Sequence, residues 1–177
     1  MPGGAENIDL VTPTHFLPDI LPALSPRLSV PVVYNCGGYE RAEILRQLEG
    51  SVDIYLPDLK YAEARLARSL SGAADYFPRA KAAIREMVRQ TGPIQWQGEK
   101  VVKGVIIRHL ILPGHVDNSL KVLDWIGSAF AQRPLPSIMM ATCCGSCCLS
   151  ILSAILIFLV RYNKFCNIAK NRKIDKV

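Results

Sequence analysis

The chain has 177 residues, half of them apolar and a fifth charged, which is ordinary for a globular protein and enough for one domain with a core. The net charge of +6 belongs to the C-terminus: residues 1–133 carry 15 Lys and Arg against 14 Asp and Glu, whereas residues 134–177 carry 6 against 1. This distribution gives no reason to propose a nucleic-acid groove on the main body, so nucleic acid is not predicted as a partner.

The cysteines are distributed just as unevenly. Cys36 is the one cysteine of residues 1–133, and the other five follow position 142. A body with a single cysteine has no disulfide framework, which fits a reducing compartment. The opening MPGGAENIDL lacks the basic start and the apolar run of a signal peptide, so we expect a cytoplasmic protein.

Three short apolar runs begin 22 residues apart: IDLV from Ile8, VPVVY from Val30 and VDIYL from Val52. They are rich in β-branched residues and lack polar alternation, which is typical of strands buried on both faces. A fourth and longer run, GVIIRHLILPG, covers residues 104–114.

Helical patterns lie between and after these runs. They cover residues 16–24, 39–50, 62–72, 75–92 and 118–132. Alternating strands and helices predict an α/β fold with parallel strands joined by right-handed crossovers. About four βα units are too few for a closed barrel of six or eight strands, so we expect a small open sheet or a partial (β/α) barrel.

From Ile138 to Val160 the chain has 23 residues without a charge. This predicts three parts: a body (1–137), an apolar helix (138–160) and a basic tail (161–177). The helix is long enough to span a bilayer, with the basic tail on the cytoplasmic side. Three interpretations stay open for it: a membrane anchor, a non-native segment from a frameshift or rearrangement, and a buried helix covering a sheet edge.

Polar residues follow each strand, where ligands bind in parallel sheets. The four groups are TPTH at 12–15, NCGGYE at 35–40, PDLK at 57–60, and Arg108 with His109 inside the fourth run. Asp58 and Lys60, two apart on an extended segment, point the same way. Lys60 would bind a carboxylate and Asp58 an ammonium or hydroxyl. The alternatives are a surface ion pair and, for Arg108, a structural salt bridge to Asp58 or Asp53.

The segments NIDLVTPTHFLP, PVVYNCGGYE, VDIYLPDLKY and VIIRHLILPG, in this order and spacing, resemble the radical S-adenosylmethionine superfamily. Within this superfamily, the segments are most similar to proteins that resemble pyruvate formate-lyase activating enzyme. The resemblance covers residues 4–139. It implies a partial (β/α)6 barrel that holds a [4Fe–4S] cluster and S-adenosylmethionine. In that family a 5′-deoxyadenosyl radical abstracts hydrogen from the substrate, which for activases is a glycine of a partner enzyme.

The resemblance also implies which residues contact the cofactor. Asn35 and Cys36 stand where activating enzymes have polar residues near the methionyl moiety, and Asp58 and Lys60 stand in the Asp-Leu-Lys motif at that same end.

On the adenosyl and ribose side, the resemblance implies contacts from Arg108 and Leu110. Thr12 and Thr14 lie where relatives carry Gly-Gly-Glu near the amino group of the cofactor. Here Thr-Pro-Thr replaces that segment, so this contact departs from the family pattern.

The family's cluster motif, Cys-x3-Cys-x2-Cys, does not occur in this sequence. Cys143 and Cys147 have the first spacing, but position 150 is Ser. No residue is therefore assigned as catalytic or as a metal ligand. We interpret the chain as a fragment of such an enzyme, inactive alone, whose partner is a protein substrate or a chain that supplies the cysteines. The alternative is a non-catalytic, membrane-tethered α/β binding module.

Overall fold

The fold alternates strands and helices, as the sequence pattern predicts. This computed structural model describes residues 4–130 in full and residues 137–142 by the course of their backbone. The elements are β1 (Ile8–Val11), a 3-10 helix (Pro13–Phe16), α1 (Leu17–Ala23), β2 (Val32–Cys36), α2 (Ala42–Arg46), β3 (Ile54–Pro57), α3 (Ala64–Ser71), α4 (Tyr76–Thr91), β4 (Gln95–Gln97), β5 (Lys100–Ile111), α5 (Val116–Ala129) and β6 (Ser137–Thr142). The α/β class is therefore confirmed.

The parallel strands lie side by side in the order in which the chain visits them. β1 pairs with β2, β2 with β3, β3 with β5, and β5 with β6. β4 adds an antiparallel hairpin to the beginning of β5. Among these parallel strands the order nowhere reverses, whereas a doubly wound sheet has such a switch point.

One face of the sheet packs against the helices. Along β5, Val105, Ile107, His109 and Ile111 are buried, and the residues between them are half-buried. Because side chains alternate between faces along a strand, this pattern marks one covered face. Each of the helices α1 to α5 contributes to the core on that side; their side chains include Leu17, Leu45, Leu66, Ile84 and Val122.

The expectation of strands buried on both faces is wrong for β1. Ile8, Asp9 and Val11 are exposed, and Val11 retains 66% of its accessible surface. β1 lies at the end of the strand order, and within the described residues it pairs only with β2. The prediction made from an apolar run without alternation therefore overestimated the burial of β1, which is an edge strand.

The segment 138–160 does not begin as the helix that its composition predicts. Residues 138–142 belong to β6, which runs parallel to β5 with Ser137 opposite Ile106 and Thr142 opposite Ile111. An uncharged run suits a parallel strand as well as a helix, which explains the error. The predicted domain boundary at 137 thus falls inside a strand, and the rest of the predicted helix and the basic tail lie outside the described residues.

A bilayer-spanning helix must be both long and apolar. None of the helices within the described residues meets both requirements.

Candidate functional site

The carboxyl ends of neighbouring parallel strands meet at one end of the sheet. β2 and β3 end opposite each other, at Cys36 and Pro57, and the end of β1 lies opposite Asn35. One residue beyond β3, Asp58 forms a parallel β-bridge with Arg108 of β5. The polar residues at the ends of β2 and β3 therefore lie beside Arg108 of β5.

The face of the sheet that points away from the helices carries the half-buried residues Asn35, Leu56, Asp58, Arg108 and Leu110, and we call it the open face. Strand alternation puts them there, because the residues on either side of each belong to the covered face. Three of them were predicted from sequence as polar cofactor contacts. The structure thus brings these three together across adjacent strands.

Asp58 lies between two cations at the centre of the open face. Its Oδ1 accepts a hydrogen bond from Arg108 Nε at 2.7 Å, and its Oδ2 is 3.3 Å from Lys60 Nζ. The three side chains remain 20%, 31% and 37% exposed in the order Asp58, Arg108, Lys60, so solvent or a ligand can reach them. Two cations around one carboxylate leave an excess positive charge, which suits an incoming carboxylate.

A second polar pair lies further along the same face. Asn35 Nδ2 donates to Asp9 Oδ2 at 3.4 Å, a long hydrogen bond between the neighbouring strands β2 and β1. Asp9 is exposed, and sequence reasoning missed it although a carboxylate inside the apolar run IDLV is a visible signal. The open face therefore presents positive charge around Arg108 on β5 and, three strands away, negative charge at Asp9 on β1.

Three predicted contacts lie elsewhere. Cys36 is buried on the covered face, since it follows Asn35 directly and the strand alternates. Burial raises the pKa of its thiol well above the usual value, so the neutral form persists. Thr12 is exposed, with a left-handed backbone, just after β1. Thr14 bonds to the hydroxyl of Tyr34 at 2.8 Å, on the helix side. The structure does not bring these three to the open face.

A buried acidic group lies close to Thr14 and Cys36. Glu40 accepts a long hydrogen bond from Thr14 Oγ1 at 3.5 Å, and its Oε2 is buried with no hydrogen-bond partner among the described residues. Burial raises the pKa of this carboxyl, because desolvation disfavours the charged form. The cluster lies on the covered side of the sheet, where Thr14 bonds to Tyr34 and Cys36 is buried.

The turn that carries Asp58 and Lys60 is held by residues that sequence reasoning did not find. Tyr76, at the start of α4, contacts the backbone of both residues, with its hydroxyl 3.0 Å from Asp58 O and 3.1 Å from Lys60 N. Asn118, at the start of α5, donates to Lys60 O at 2.9 Å and accepts from Ala62 N at 2.7 Å. These side chains join the turn to two helices.

His109, on the covered face of β5, also contacts this turn. Its Nδ1 is 2.5 Å from the carbonyl oxygen of Leu59 and its Nε2 is 2.8 Å from Ser119 Oγ. A carbonyl oxygen only accepts, so Nδ1 carries a proton. Burial lowers the pKa of the imidazole, which keeps it neutral, and Nε2 then accepts from Ser119.

The described residues do not fit a metal or an iron–sulfur cluster. A [4Fe–4S] cluster takes several cysteine thiolates, and Cys36 is the one cysteine of residues 4–130. Its thiol is buried in the core, and this burial raises its pKa, which favours the protonated form. No group of three or more His, Cys, Asp and Glu side chains within the described residues has a geometry that could hold an ion.

Comparison with known proteins identifies a curated relative from an archaeon. An uncharacterized protein of Methanocaldococcus jannaschii is 32% identical over 126 residues, which are 69% of this chain. The chain spans about a third of that protein's length (33%), so most of the archaeal protein lies outside the match. No family model and no solved structure matches the chain.

Proposed function

We propose that this chain is the S-adenosylmethionine-binding part of a radical S-adenosylmethionine enzyme of the activating-enzyme type. The observation that carries the proposal is the open face, where Asp58, Lys60 and Arg108 meet at the carboxyl ends of parallel strands. Support also comes from the strand order, which follows the chain, and from helices on one side, as in a (β/α) barrel.

The amino-acid end of S-adenosylmethionine is a zwitterion, and the open face carries both signs of charge needed to bind it. Lys60 Nζ and Arg108 donate to the carboxylate. Asp58, whose carboxylate lies beside both cations, accepts from the ammonium. Charge-assisted hydrogen bonds of this kind are the strong ones, and partial burial limits their competition with water.

In this proposal the chain binds and orients, and it performs no redox chemistry alone. A [4Fe–4S] cluster, if a separate chain held it, would supply the electron for cleavage of the cofactor's sulfonium. The described residues do not fit that cluster, so a separate chain with the Cys-x3-Cys-x2-Cys motif is the proposed partner, and a protein glycine the proposed substrate. Anaerobic incubation of the chain alone with iron and sulfide should therefore give neither cluster absorbance nor cofactor cleavage.

Binding is tested by isothermal titration of the full chain with S-adenosylmethionine. Lys60→Gln should weaken binding about tenfold or more, since it removes a charge-assisted contact worth ~1.5–3 kcal/mol. Lys121→Gln is the matched control, because Lys121 pairs with Glu63 at 2.5 Å on the helical surface. 5′-Methylthioadenosine, which lacks the amino-acid end, should bind wild type and Lys60→Gln alike.

Two results would overturn the proposal. The first is a wild-type chain that shows no saturable heat with S-adenosylmethionine. The second is an equal loss of affinity in Lys60→Gln and Lys121→Gln, which would place the ligand elsewhere.

The alternative function is a membrane-tethered binding module. The observation that favours it is the uncharged run that continues beyond β6 from Cys143 to Val160, followed by basic residues. Detergent phase separation of the full chain tests this alternative. If the chain partitions into the detergent phase and stays with membranes after alkaline extraction, the tether is supported. If it is recovered in the aqueous phase, the alternative is ruled out.

A further inference from the structure

We propose that Tyr76 is the positioning residue of the open-face site, whose hydroxyl fixes the turn that carries Asp58 and Lys60. The inference rests on the proposed function for its ligand. The geometry of the turn stands independently of that ligand.

The turn from Asp58 to Lys60 lies beyond the end of β3, yet each of its backbone polar groups lies within hydrogen-bond distance of a partner. The N–H of Asp58 donates to Cys36 O at 2.9 Å, and the N–H of Leu59 donates to Arg108 O at 2.8 Å. The remaining N–H and the three carbonyls are bonded to the side chains of Tyr76, His109 and Asn118. An irregular segment with this many partners has one conformation.

Tyr76 has the largest share of these contacts. Its hydroxyl lies 2.9 Å from Gly37 O, 3.0 Å from Asp58 O and 3.1 Å from Lys60 N. The Lys60 N–H donates to the phenolic oxygen, and the single phenolic proton is directed to one of the two carbonyls. Burial raises the pKa of this phenol, so it keeps its proton at any physiological pH.

One hydroxyl therefore joins the turn after β2, which follows Asn35 and Cys36, to the turn after β3. The ring is held in place by its own neighbours: it is 4% exposed, stacks with Tyr39 at 5.9 Å and meets Tyr61 edge-on at 5.2 Å. Removing only the oxygen leaves this packing intact and frees the Lys60 amide, together with whichever carbonyl of Gly37 and Asp58 accepts the phenolic proton. The side chains of Asp58 and Lys60 are then no longer held at the fixed distance that binding of a zwitterion requires.

The experiment compares Tyr76→Phe with Tyr61→Phe in the full chain. Tyr61 is the matched control because it is also buried in the core, touches the same aromatic cluster, and bonds through its hydroxyl to Ser71 Oγ at 2.8 Å, away from the turn. The first readout is hydrogen exchange of the Lys60 amide by NMR. The second is the affinity for S-adenosylmethionine.

We expect Tyr76→Phe to accelerate exchange at Lys60 about tenfold relative to amides of α4, and to weaken S-adenosylmethionine about tenfold. Tyr61→Phe should change neither. An unchanged Lys60 amide in Tyr76→Phe, or an equal acceleration throughout the chain in both variants, would refute the positioning role. If wild type binds no S-adenosylmethionine, the proposed function fails, and the exchange result still decides the role of Tyr76.

Discussion

Gly38 marks the place where the two turns of the site touch. Its φ is +80°, and a Cβ at this position would lie 1.9 Å from the carbonyl oxygen of Asp58 and 3.2 Å from the hydroxyl of Tyr76. The backbone of the turn after β2 thus rests directly on the backbone of the turn after β3. A side chain at residue 38 would force apart the groups that the site needs together.

Gly38→Ala should therefore destabilise the protein more than its backbone conformation alone explains. Gly50 has φ +83° and nothing within 4 Å of an added Cβ, so Gly50→Ala reports the cost of the left-handed backbone by itself, ~1 kcal/mol. Gly38→Ala should cost a further ~2 kcal/mol through overpacking. Urea denaturation measures both, and equal midpoints would show that the turns separate freely.

The neutral His109 makes stability depend on pH. Burial lowers the pKa of this imidazole in the folded state below the ordinary 6.5, so the unfolded chain binds its proton more readily. The contribution of His109 to stability is fully present above pH 6.5 and is lost as the pH falls from there through the folded-state pKa. The slope is at most ~1.4 kcal/mol per pH unit.

The measurement is the free energy of unfolding of wild type and His109→Gln on both sides of pH 6.5. In His109→Gln, the part of the unfolding free energy that wild type loses as the pH falls should be absent, whatever the absolute stability of the variant. Glu40 acts in the opposite direction, because a raised folded-state pKa adds stability as the pH falls through it. Glu40→Gln in both backgrounds separates the two groups, and identical slopes with and without His109 would contradict the assignment.

At the scale of elements, α4 is the helix that brings Tyr76 to the site. It lies close to the sheet because small residues face the core: Ala80 and Ala83 are fully buried, between Tyr76 and Met87. Its contacts with β3 and β5 depend on that close approach. The position of the Tyr76 hydroxyl is therefore set by packing along the whole helix.

Enlarging one of these alanines should displace α4. Ala83→Leu is expected to destabilise the fold by ~1–3 kcal/mol, since a well-packed core does not accept three extra carbons. Ala82→Leu is the control: the neighbouring residue is exposed, and its cost should stay within ~0.5 kcal/mol. Thermal unfolding compares the two variants, and similar melting temperatures would mean that the interface beneath Ala83 is loosely packed.

The helices and strands also show which parts of the fold the sequence could predict. Apolar runs and helical patterns predicted α4, α5 and the parallel strands β1, β2, β3 and β5, because these depend on local pattern, whereas β6 was predicted as part of a helix. The prediction for β5 was too short at its beginning, since pairing with β4 extends the strand back to Lys100. Trp96 on β4 is 59% exposed, although tryptophan is a large apolar residue. The start of β5 and the exposure of Trp96 depend on the pairing of β4 with β5, and local composition does not specify which segments pair.

The residues of the site also fall into two groups, those that local sequence pattern identifies and those that depend on contacts between distant segments. Asp58 and Lys60 were identified because their spacing by two is local, and the structure places them beside Arg108 as an ion cluster. Tyr76 and Asn118 were missed, because they contact Lys60 from 16 and 58 residues away in the sequence. Cys36 and Thr14 were assigned by resemblance alone. Strand alternation puts Cys36 on the covered face, and Thr14, in the 3-10 helix, bonds to Tyr34 on the helix side.

At the scale of the whole molecule, the sheet has an edge at β1. In the described part of the chain, β1 pairs on one side with β2 and presents its other side to solvent. Unpaired N–H and C=O groups on an edge strand accept another strand, particularly where apolar side chains stand beside them. Val11 is 66% exposed and Ile8 36%, so the edge combines both features.

We therefore expect the chain to self-associate through β1 as its concentration rises. Val11→Lys should shift sedimentation velocity profiles toward the monomer, because a charge at an edge opposes strand addition. Leu70→Lys is the matched control: Leu70 is 52% exposed on α3, so the same charge is added and an apolar side chain is lost away from the sheet. Equal effects of the two substitutions would assign the association to net charge, and a wild type that stays monomeric at all concentrations would show that the β1 edge is already covered.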